Sequence, residues 1–268
     1  MLTGVPKTAL GVARIRAGES ARPDHLFNDP YAAAFVAAMP DAYADGGPST
    51  EPGRLVAARI AMHVVIRTRF YDDYLLAATN GGVRQVVLLA AGLDTRAFRL
   101  DWPAGTTVFE LDLPHMVEFK ETVLADAGAT PTSNRSVVPA DLTADWAGEL
   151  AAAGFDAAQP TAWLIEGLLV YLTHDDAARL LETVGRLSTA GSWLSCEQGR
   201  SAMQLAAQSA ESGASEAIKL WQGGIEEVTD WLTEHDWRVK TFELAALAAS
   251  YGRALATETN TGFLIAQR

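Results

Sequence analysis

The sequence contains one cysteine, Cys196, among 268 residues. A single cysteine excludes an internal disulfide framework and a zinc site built from several cysteines. Because Cys196 falls within a predicted buried strand, we interpret it as a small core residue. The histidines are isolated along the chain, and their spacing gives no metal-ligand pattern. We therefore expect no metal centre.

Basic residues are also scarce. The chain has 21 Lys and Arg against 33 Asp and Glu, a net charge of -12 and a pI of about 4.8. This balance argues against a nucleic-acid partner, which requires clustered cations. The chain also lacks an apolar run near the roughly 18 residues that span a bilayer, and its N-terminus lacks the apolar segment of a secretion signal. We expect a cytoplasmic protein with no membrane partner.

Strand and helix patterns alternate along most of the chain. Short apolar runs predict strands at 86–90, 107–112, 135–139, 161–166, 192–197, 237–242 and 261–267. Helical spacing of apolar residues predicts helices at 54–79, 93–99, 114–127, 174–188, 243–250 and within 200–233. This alternation is typical of an α/β fold with a doubly wound, mostly parallel sheet, and the last pair of strands predicts an antiparallel edge strand.

The stretch 85–100, QVVLLAAGLDTRAFRL, predicts a buried strand, a tight turn at Ala90, Ala91 and Gly92, and a helix. In α/β folds this arrangement forms the crevice that holds nucleotide-like cofactors. Dinucleotides prefer G-x-G-x-x-G, whereas this turn has one glycine and an acid, Asp94, that would repel a pyrophosphate. Asp94 suits a ligand with an ammonium group. The alternative is a turn that serves helix–sheet packing, with Asp94 as a helix N-cap.

Two acids, Glu110 and Asp112, end the next predicted strand and lie on the same face. An acid about 20 residues after such a turn can accept hydrogen bonds from a ribose diol. S-adenosyl-L-methionine carries an ammonium group, a ribose diol and an adenine, and it has no phosphate. The pattern therefore fits this cofactor better than a dinucleotide.

Six segments carry a resemblance to a known family. They are LFNDPYA (26–32), RTRFYDD (67–73), VVLLAAGLDTRAFRL (86–100), FELDLP (109–114), ADL (140–142) and WLIEGLLVYL (163–172). In sequence and order they resemble the leucine carboxyl methyltransferase-like family of S-adenosyl-L-methionine-dependent methyltransferases, in particular its bacterial O-methyltransferase branch. One departure is Ala90, where the family often has glycine.

The resemblance implies a single domain with the Rossmann-like, seven-stranded class I methyltransferase sheet. Its expected parts are an N-terminal helical lid (1–53), a cofactor-binding core (54–199), a helical substrate cap (200–233) and the final strands (234–268). An N-terminal arginine, Arg16 or Arg22, is a candidate for closing over the cofactor.

The resemblance also implies roles for individual residues. Asp112 would accept from the ribose diol, Asp141 from the adenine amino group, and Arg67 would bind the cofactor's carboxylate. The predicted cofactor-binding residues are Arg67, Ala90, Ala91, Gly92, Asp94, Arg96, Glu110, Asp112, Leu113, Asp141, Leu142 and Glu166. The predicted catalytic residues are Glu166 and Tyr171.

Several of these residues also have purely structural interpretations. Glu110 would pair with an arginine such as Arg96, and Asp141 would cap a helix. Arg67 would be an exposed helix residue, and Tyr171 would pack in the core. Glu166 is the least suited to such a role, because apolar neighbours make an unpaired acid costly.

The expected activity is methyl transfer to a carboxylate or hydroxyl of a small molecule or peptide terminus. His63, His115 and His174 have no evident orienting partner, which favours an acceptor that is already acidic. The alternatives are a regulatory protein that binds S-adenosyl-L-methionine without catalysis and a nicotinamide-dependent oxidoreductase.

Overall fold

A computed structural model describes residues 7–43, 50–198, 222–255 and 262–268. The strands are β1 (Gln85–Leu89), β2 (Thr107–Asp112), β3 (Asn134–Pro139), β4 (Thr161–Ile165), β5 (Trp193–Glu197), β6 (Arg238–Glu243) and β7 (Gly262–Gln267). The helices are α1 (Lys7–Ser20), α2 (Ala32–Ala37), α3 (Glu51–Asn80), α4 (Arg96–Arg99), α5 (Pro114–Asp126), α6 (Trp146–Ala152), α7 (His174–Arg186), α8 (Val228–Glu234) and α9 (Leu244–Ser250). None of the described helices combines the length and apolarity needed to cross a bilayer.

The strands form one seven-stranded sheet in the order β3-β2-β1-β4-β5-β7-β6. Strands β1 to β5 pair in parallel, and β7 runs antiparallel to both β5 and the edge strand β6. This topology confirms the predicted mixed α/β sheet. The strand order reverses between β1 and β4, and in such sheets the ligand crevice lies beyond the carboxyl ends of the strands at that point.

Apolar layers cover both faces of the sheet. Every residue of β1 and β4 is buried, as expected for central parallel strands with helices on both sides. One apolar cluster joins the sheet to α1, α2, α3 and α5, and the other joins it to α6, α7 and α8. Together they fix the carboxyl edge of the sheet between two rigid layers.

Most predicted elements match the structure to within a few residues. Thr173 is the N-cap of α7, and its hydroxyl accepts a hydrogen bond from the Asp176 amide at 3.1 Å. Helix α3 begins earlier than predicted because Thr50 caps it through the Gly53 amide. Helix α6 was not predicted. Of the predicted cap segment 200–233, residues up to 221 lie outside the described part, and α8 supplies its end.

Candidate active site

The turn after β1 has an unusual backbone. Ala90 and Gly92 adopt φ angles of 55° and 49°, in the left-handed region. A Cβ added at Gly92 would meet only the Ala90 carbonyl oxygen, at 3.9 Å, so this side of the turn is open. The Gly92 amide donates to Asp112 Oδ2 at 2.5 Å, which joins the turn to the end of β2. The turn therefore presents backbone, with no side chain over it, to the crevice.

The two acids of β2 have different surroundings. Asp112 is partly exposed, and its Oδ1 accepts from the Leu113 amide at 2.7 Å. Burial raises the pKa of Asp112 above its ordinary value, and the two backbone amides oppose this effect. Glu110 is 2% exposed, and its Oε2 accepts from Lys120 Nζ and Arg135 Nη2, both at 2.7 Å. Glu110 does pair with an arginine, but that arginine is Arg135 and not Arg96.

Groups suited to an adenine ring lie at the ends of β2 and β3. Leu113 is an exposed large apolar side chain, 40% accessible, directly after β2. Asp141 follows β3, and its Oδ1 accepts from the Thr143 amide at 2.9 Å and the Thr143 hydroxyl at 2.7 Å. These bonds lower the pKa of Asp141 and close a local turn. Its Oδ2 has no hydrogen bond within the described residues, and Leu142 beside it is partly buried.

Glu166 follows β4 and binds two arginines from separate elements. Its Oε1 accepts from Arg67 Nε of α3 at 2.8 Å, and its Oε2 accepts from Arg96 Nη1 of α4 at 2.7 Å. The two guanidinium groups lower the pKa of Glu166 despite its burial, so the carboxylate is ionised at neutral pH. Arg96, only 1% exposed, also donates to Asp72 Oδ1 at 2.7 Å. A carboxylate is thus fixed at the switch point of the sheet.

Glu197 is a site residue that sequence reasoning missed. It ends β5, accepts from Arg67 Nη1 at 3.0 Å, and accepts the Gly167 amide on both oxygens at 3.0 Å. Burial raises the pKa of Glu197. A signal was present in the sequence, because the predicted strands TAWLIE (161–166) and SWLSCE (192–197) both end in glutamate. The neighbouring strands β4 and β5 therefore bring these two carboxylates to the same arginine.

Asp94 and Arg96 form a buried pair beneath the turn. Asp94 Oδ1 accepts from the Arg96 amide at 2.6 Å, and its other oxygen pairs with the Arg96 side chain. The nearby cations lower the pKa of Asp94 to about 2 against the effect of its burial. The N-cap of α4 is Thr95, so Asp94 is not the N-cap that was considered and binds the first amide of the helix from the residue before Thr95. Contact of either residue with a cofactor stays a prediction.

The two N-terminal arginines considered for the cofactor site, Arg16 and Arg22, differ in their burial. Arg16 is buried, donates to the Leu93 carbonyl in the turn after β1, and pairs with Asp29 at 3.0 Å. The side chain of Arg22 is 50% exposed and pairs with the exposed Asp24. Arg16 is therefore the N-terminal arginine that reaches the candidate site.

The remaining candidates are a tyrosine and three histidines. Tyr171 is partly buried in a short 3-10 turn after Glu166. His115 and His174 are exposed. His63 lies on α3, four residues before Arg67, with its ring 5.5 Å from Phe263. Burial and the Arg67 charge lower the pKa of His63 to about 3, so its imidazole is neutral at pH 7.

Comparisons with known proteins agree with this geometry. The family model of leucine carboxyl methyltransferase matches residues 9–185. A protein from Parafrankia sp. (strain EAN1pec), named as an S-adenosyl-L-methionine-dependent methyltransferase, is 48% identical over 99% of this chain and 87% of its own. A similarly named protein from Streptomyces coelicolor is 43% identical over 95% of this chain and 90% of its own.

Solved structures share the fold at low sequence identity. A DUF574 family protein from Streptomyces avermitilis superposes with a TM-score of 0.56 and 17% identity over 96% of both chains. The magnesium protoporphyrin IX methyltransferase of Synechocystis PCC 6803, with bound cofactor, gives a TM-score of 0.51 and 12% identity over 96% of this chain and 97% of its own. The family match, the relatives and the crevice at the switch point lead to one conclusion: this chain belongs to the leucine carboxyl methyltransferase family and is an S-adenosyl-L-methionine-dependent methyltransferase.

Proposed function

We propose that the protein is an O-methyltransferase that acts on a carboxylate or hydroxyl group of a small molecule or a peptide terminus. The observation that carries this proposal is membership of a family named for methylation of a carboxyl group. Bound S-adenosyl-L-methionine supplies a methyl group on a sulfonium, which an acceptor oxygen displaces in line. Such a reaction depends mainly on proximity and orientation of the two partners.

The β1–β3 side of the crevice fits the nucleoside part of the cofactor. Each carboxylate oxygen has two acceptor positions, so Asp112 keeps capacity for the ribose hydroxyls in addition to its two backbone amides. Asp141 Oδ2 is open to the adenine amino group. Leu113 and Leu142 supply apolar contact to the ring.

The β4–β5 side fits the amino-acid part of the cofactor. Arg67 uses Nε and Nη1 to bind Glu166 and Glu197, and its Nη2 has no hydrogen bond within the described residues. That donor remains for the cofactor's carboxylate, and a guanidinium suits a planar anion. Glu166 holds Arg67 in place and puts an ionised carboxylate near the sulfonium, whereas Tyr171 remains a candidate for lining the acceptor pocket.

The test is a product analysis with methyl-labelled S-adenosyl-L-methionine. Purified protein is incubated with a panel of carboxylic acids, phenols and short peptides, and the labelled product is sorted by its chemistry. A base-labile methyl ester or a base-stable aryl methyl ether supports the proposal. Label on nitrogen, sulfur or carbon would overturn it, and so would intact cofactor binding with no transfer to any oxygen acceptor, the behaviour of a regulatory binding protein.

A further inference from the structure

Helix α3 also carries polar side chains in the part that precedes Arg67. Arg67 reaches the carboxyl ends of β4 and β5, and α3 then runs on to the start of β1 near the opposite edge. The part of α3 that precedes Arg67 is about 24 Å long at a rise of roughly 1.5 Å per residue, and it begins on the carboxyl side of the sheet. This is the side from which an acceptor must approach.

His63 faces this edge of the sheet. Its ring lies 5.5 Å from that of Phe263, which also contacts Tyr71 at 5.4 Å. Phe263 is the direct partner of Glu197 in the β5–β7 ladder. His63 therefore sits one helical turn from Arg67, close to the end of β5, and within the described residues neither of its ring nitrogens has a hydrogen-bond partner.

Arg59 lies one further turn along α3. Its Nε is buried without a hydrogen-bond partner, and within the described residues its guanidinium joins no salt bridge. The arginines deeper in the site behave differently, because Arg67 and Arg96 each bind two or more carboxylates. A desolvated donor without a partner is unfavourable, so Arg59 is suited to receive an anion from outside the chain.

We propose that Arg59 and His63 form the acceptor-recognition site, and that the acceptor is a hydroxy acid whose carboxylate binds Arg59 and whose hydroxyl contacts His63. This inference rests on the proposed function and narrows its substrate class. The two side chains are one turn apart, about 6 Å along the helix axis. A phenol ring with a carboxylate opposite its hydroxyl spans a similar length.

Methyl transfer to the hydroxyl needs only the acceptor, the cofactor and His63. The acceptor's O–H bond breaks, and its proton passes to a ring nitrogen of the neutral His63 imidazole. The oxygen forms the new bond to the methyl carbon as the bond from sulfur to that carbon breaks, and the electron pair of that bond stays on sulfur. His63 then releases the proton to water. Because the pKa of His63 is about 3, the imidazole is a weak base, and its main contribution is to orient the hydroxyl by accepting its hydrogen bond.

The binding test uses 4-hydroxybenzoate and its neutral match, 4-hydroxybenzamide, titrated calorimetrically into the full chain saturated with S-adenosylhomocysteine. We expect the acid to bind at least about 10-fold more tightly than the amide, as lost carboxylate–guanidinium bonds require. Arg59→Gln should remove this preference and leave S-adenosylhomocysteine affinity unchanged. Arg179→Gln, at an exposed position on α7, is the matched control and should retain it.

The kinetic test is His63→Gln. We expect acid binding to persist while kcat falls about 10-fold, the value of one hydrogen bond to the reacting hydroxyl. Because the pKa of His63 is about 3, the kcat of the unmodified protein should show no limb from this group above about pH 4. Equal binding of acid and amide, no binding of either, or a preference that survives Arg59→Gln would overturn the inference. Failure of the broader proposal is distinguishable, because it appears as label on an atom other than oxygen, whatever the two affinities are.

Discussion

The two sides of the crevice are built from contacts of different range. On the β1–β3 side, Asp141 accepts from nearby Thr143, and Asp112 accepts from the adjacent Leu113 amide and from the Gly92 amide 20 residues away. On the β4–β5 side, Arg67 binds Glu166 and Glu197, which lie 99 and 130 residues away. The first side therefore needs only contacts within one short stretch of the chain, whereas the second requires strands and a helix that are far apart in the sequence.

The two sides also differ in how far their charges are satisfied. Arg96 binds Asp72, Asp94 and Glu166 in a closed, buried network. Asp112 is partly exposed and bound only by backbone amides. We therefore expect a change in the Arg96 network to affect folding first, and a change at Asp112 to affect cofactor binding first.

The largest effect is expected for Arg96→Met. Removing this guanidinium leaves Asp94 without its ion-pair partner and takes one of two arginines from Glu166. Loss of one partner from a buried pair typically costs about 3–5 kcal/mol, because the remaining charge is uncompensated. Urea unfolding followed by circular dichroism measures the change. Arg179→Met, which breaks a pair with a 63% exposed arginine, should cost less than about 1 kcal/mol.

A loss at Arg96→Met no larger than that at Arg179→Met would show that the network does not support the fold. The assignment of the β4–β5 side as a folding scaffold would then be wrong.

The second prediction concerns cofactor affinity and Asp112→Asn. The substitution keeps the size of the side chain but removes the charge that would bind the ribose hydroxyls. Hydrogen bonds to charged groups contribute about 1.5–3 kcal/mol, so the Kd for S-adenosyl-L-methionine should rise roughly 10- to 150-fold. Calorimetric titration measures it. The free energy of unfolding should change by less than about 1 kcal/mol, since Asp112 is partly exposed.

Glu110→Gln is the matched comparison two residues earlier. Glu110 holds the buried Lys120 and Arg135, so its loss should destabilise the fold by about 3 kcal/mol and leave the affinity of the folded protein nearly unchanged. If the two variants exchanged these effects, Glu110 would be the ribose acceptor and Asp112 the structural acid.

The contrast between Glu110 and Asp112 shows where sequence reasoning stops. The strand pattern correctly places both on one face, and the elements of the sheet follow from apolar periodicity because β1 and β4 are central and buried. Which acid is open to the crevice depends on Lys120 and Arg135, which come from α5 and β3. No spacing rule encodes such a contact.

His63 likewise could not be singled out from the sequence. In the sequence it is one of five isolated histidines, yet in the structure it lies beside Phe263, some 200 residues away along the chain. Its spacing of four from Arg67 was visible, and this spacing places both residues on one side of a helix. The spacing places His63 near the candidate site only because Arg67 binds Glu166, and that contact is seen only in the structure.

The third prediction is a pH effect from His63. Its pKa is about 3 in the folded protein against 6.5 ordinarily, so between these values the unfolded chain binds a proton that the folded chain does not. Folding stability is therefore lost as pH falls from about 6.5 toward 3. The groups that face the ring are Arg67 and Glu166. Unfolding free energies measured from pH 7 to pH 4 should fall less steeply for His63→Gln than for the unmodified protein.

Parallel slopes for the two proteins would mean that the imidazole titrates normally and is not desolvated at the end of β5. An NMR titration of the His63 ring provides an independent reading, and its chemical shift should stay constant down to about pH 4.

The smallest effect is expected at the turn itself, for Ala90→Gly. With φ at 55°, Ala90 has a left-handed backbone that costs an alanine about 1–2 kcal/mol relative to the right-handed region. Glycine removes this cost but gains about 0.4–1 kcal/mol of unfolded-chain entropy. The balance predicts a stabilisation between zero and about 1.6 kcal/mol, with cofactor affinity unchanged or improved. Ala91→Gly is the control, because Ala91 lacks a positive φ and should lose about 0.5–1 kcal/mol. Equal losses at both positions would show that Ala90 is unstrained, and the alanine that departs from the family's glycine would then carry no conformational cost.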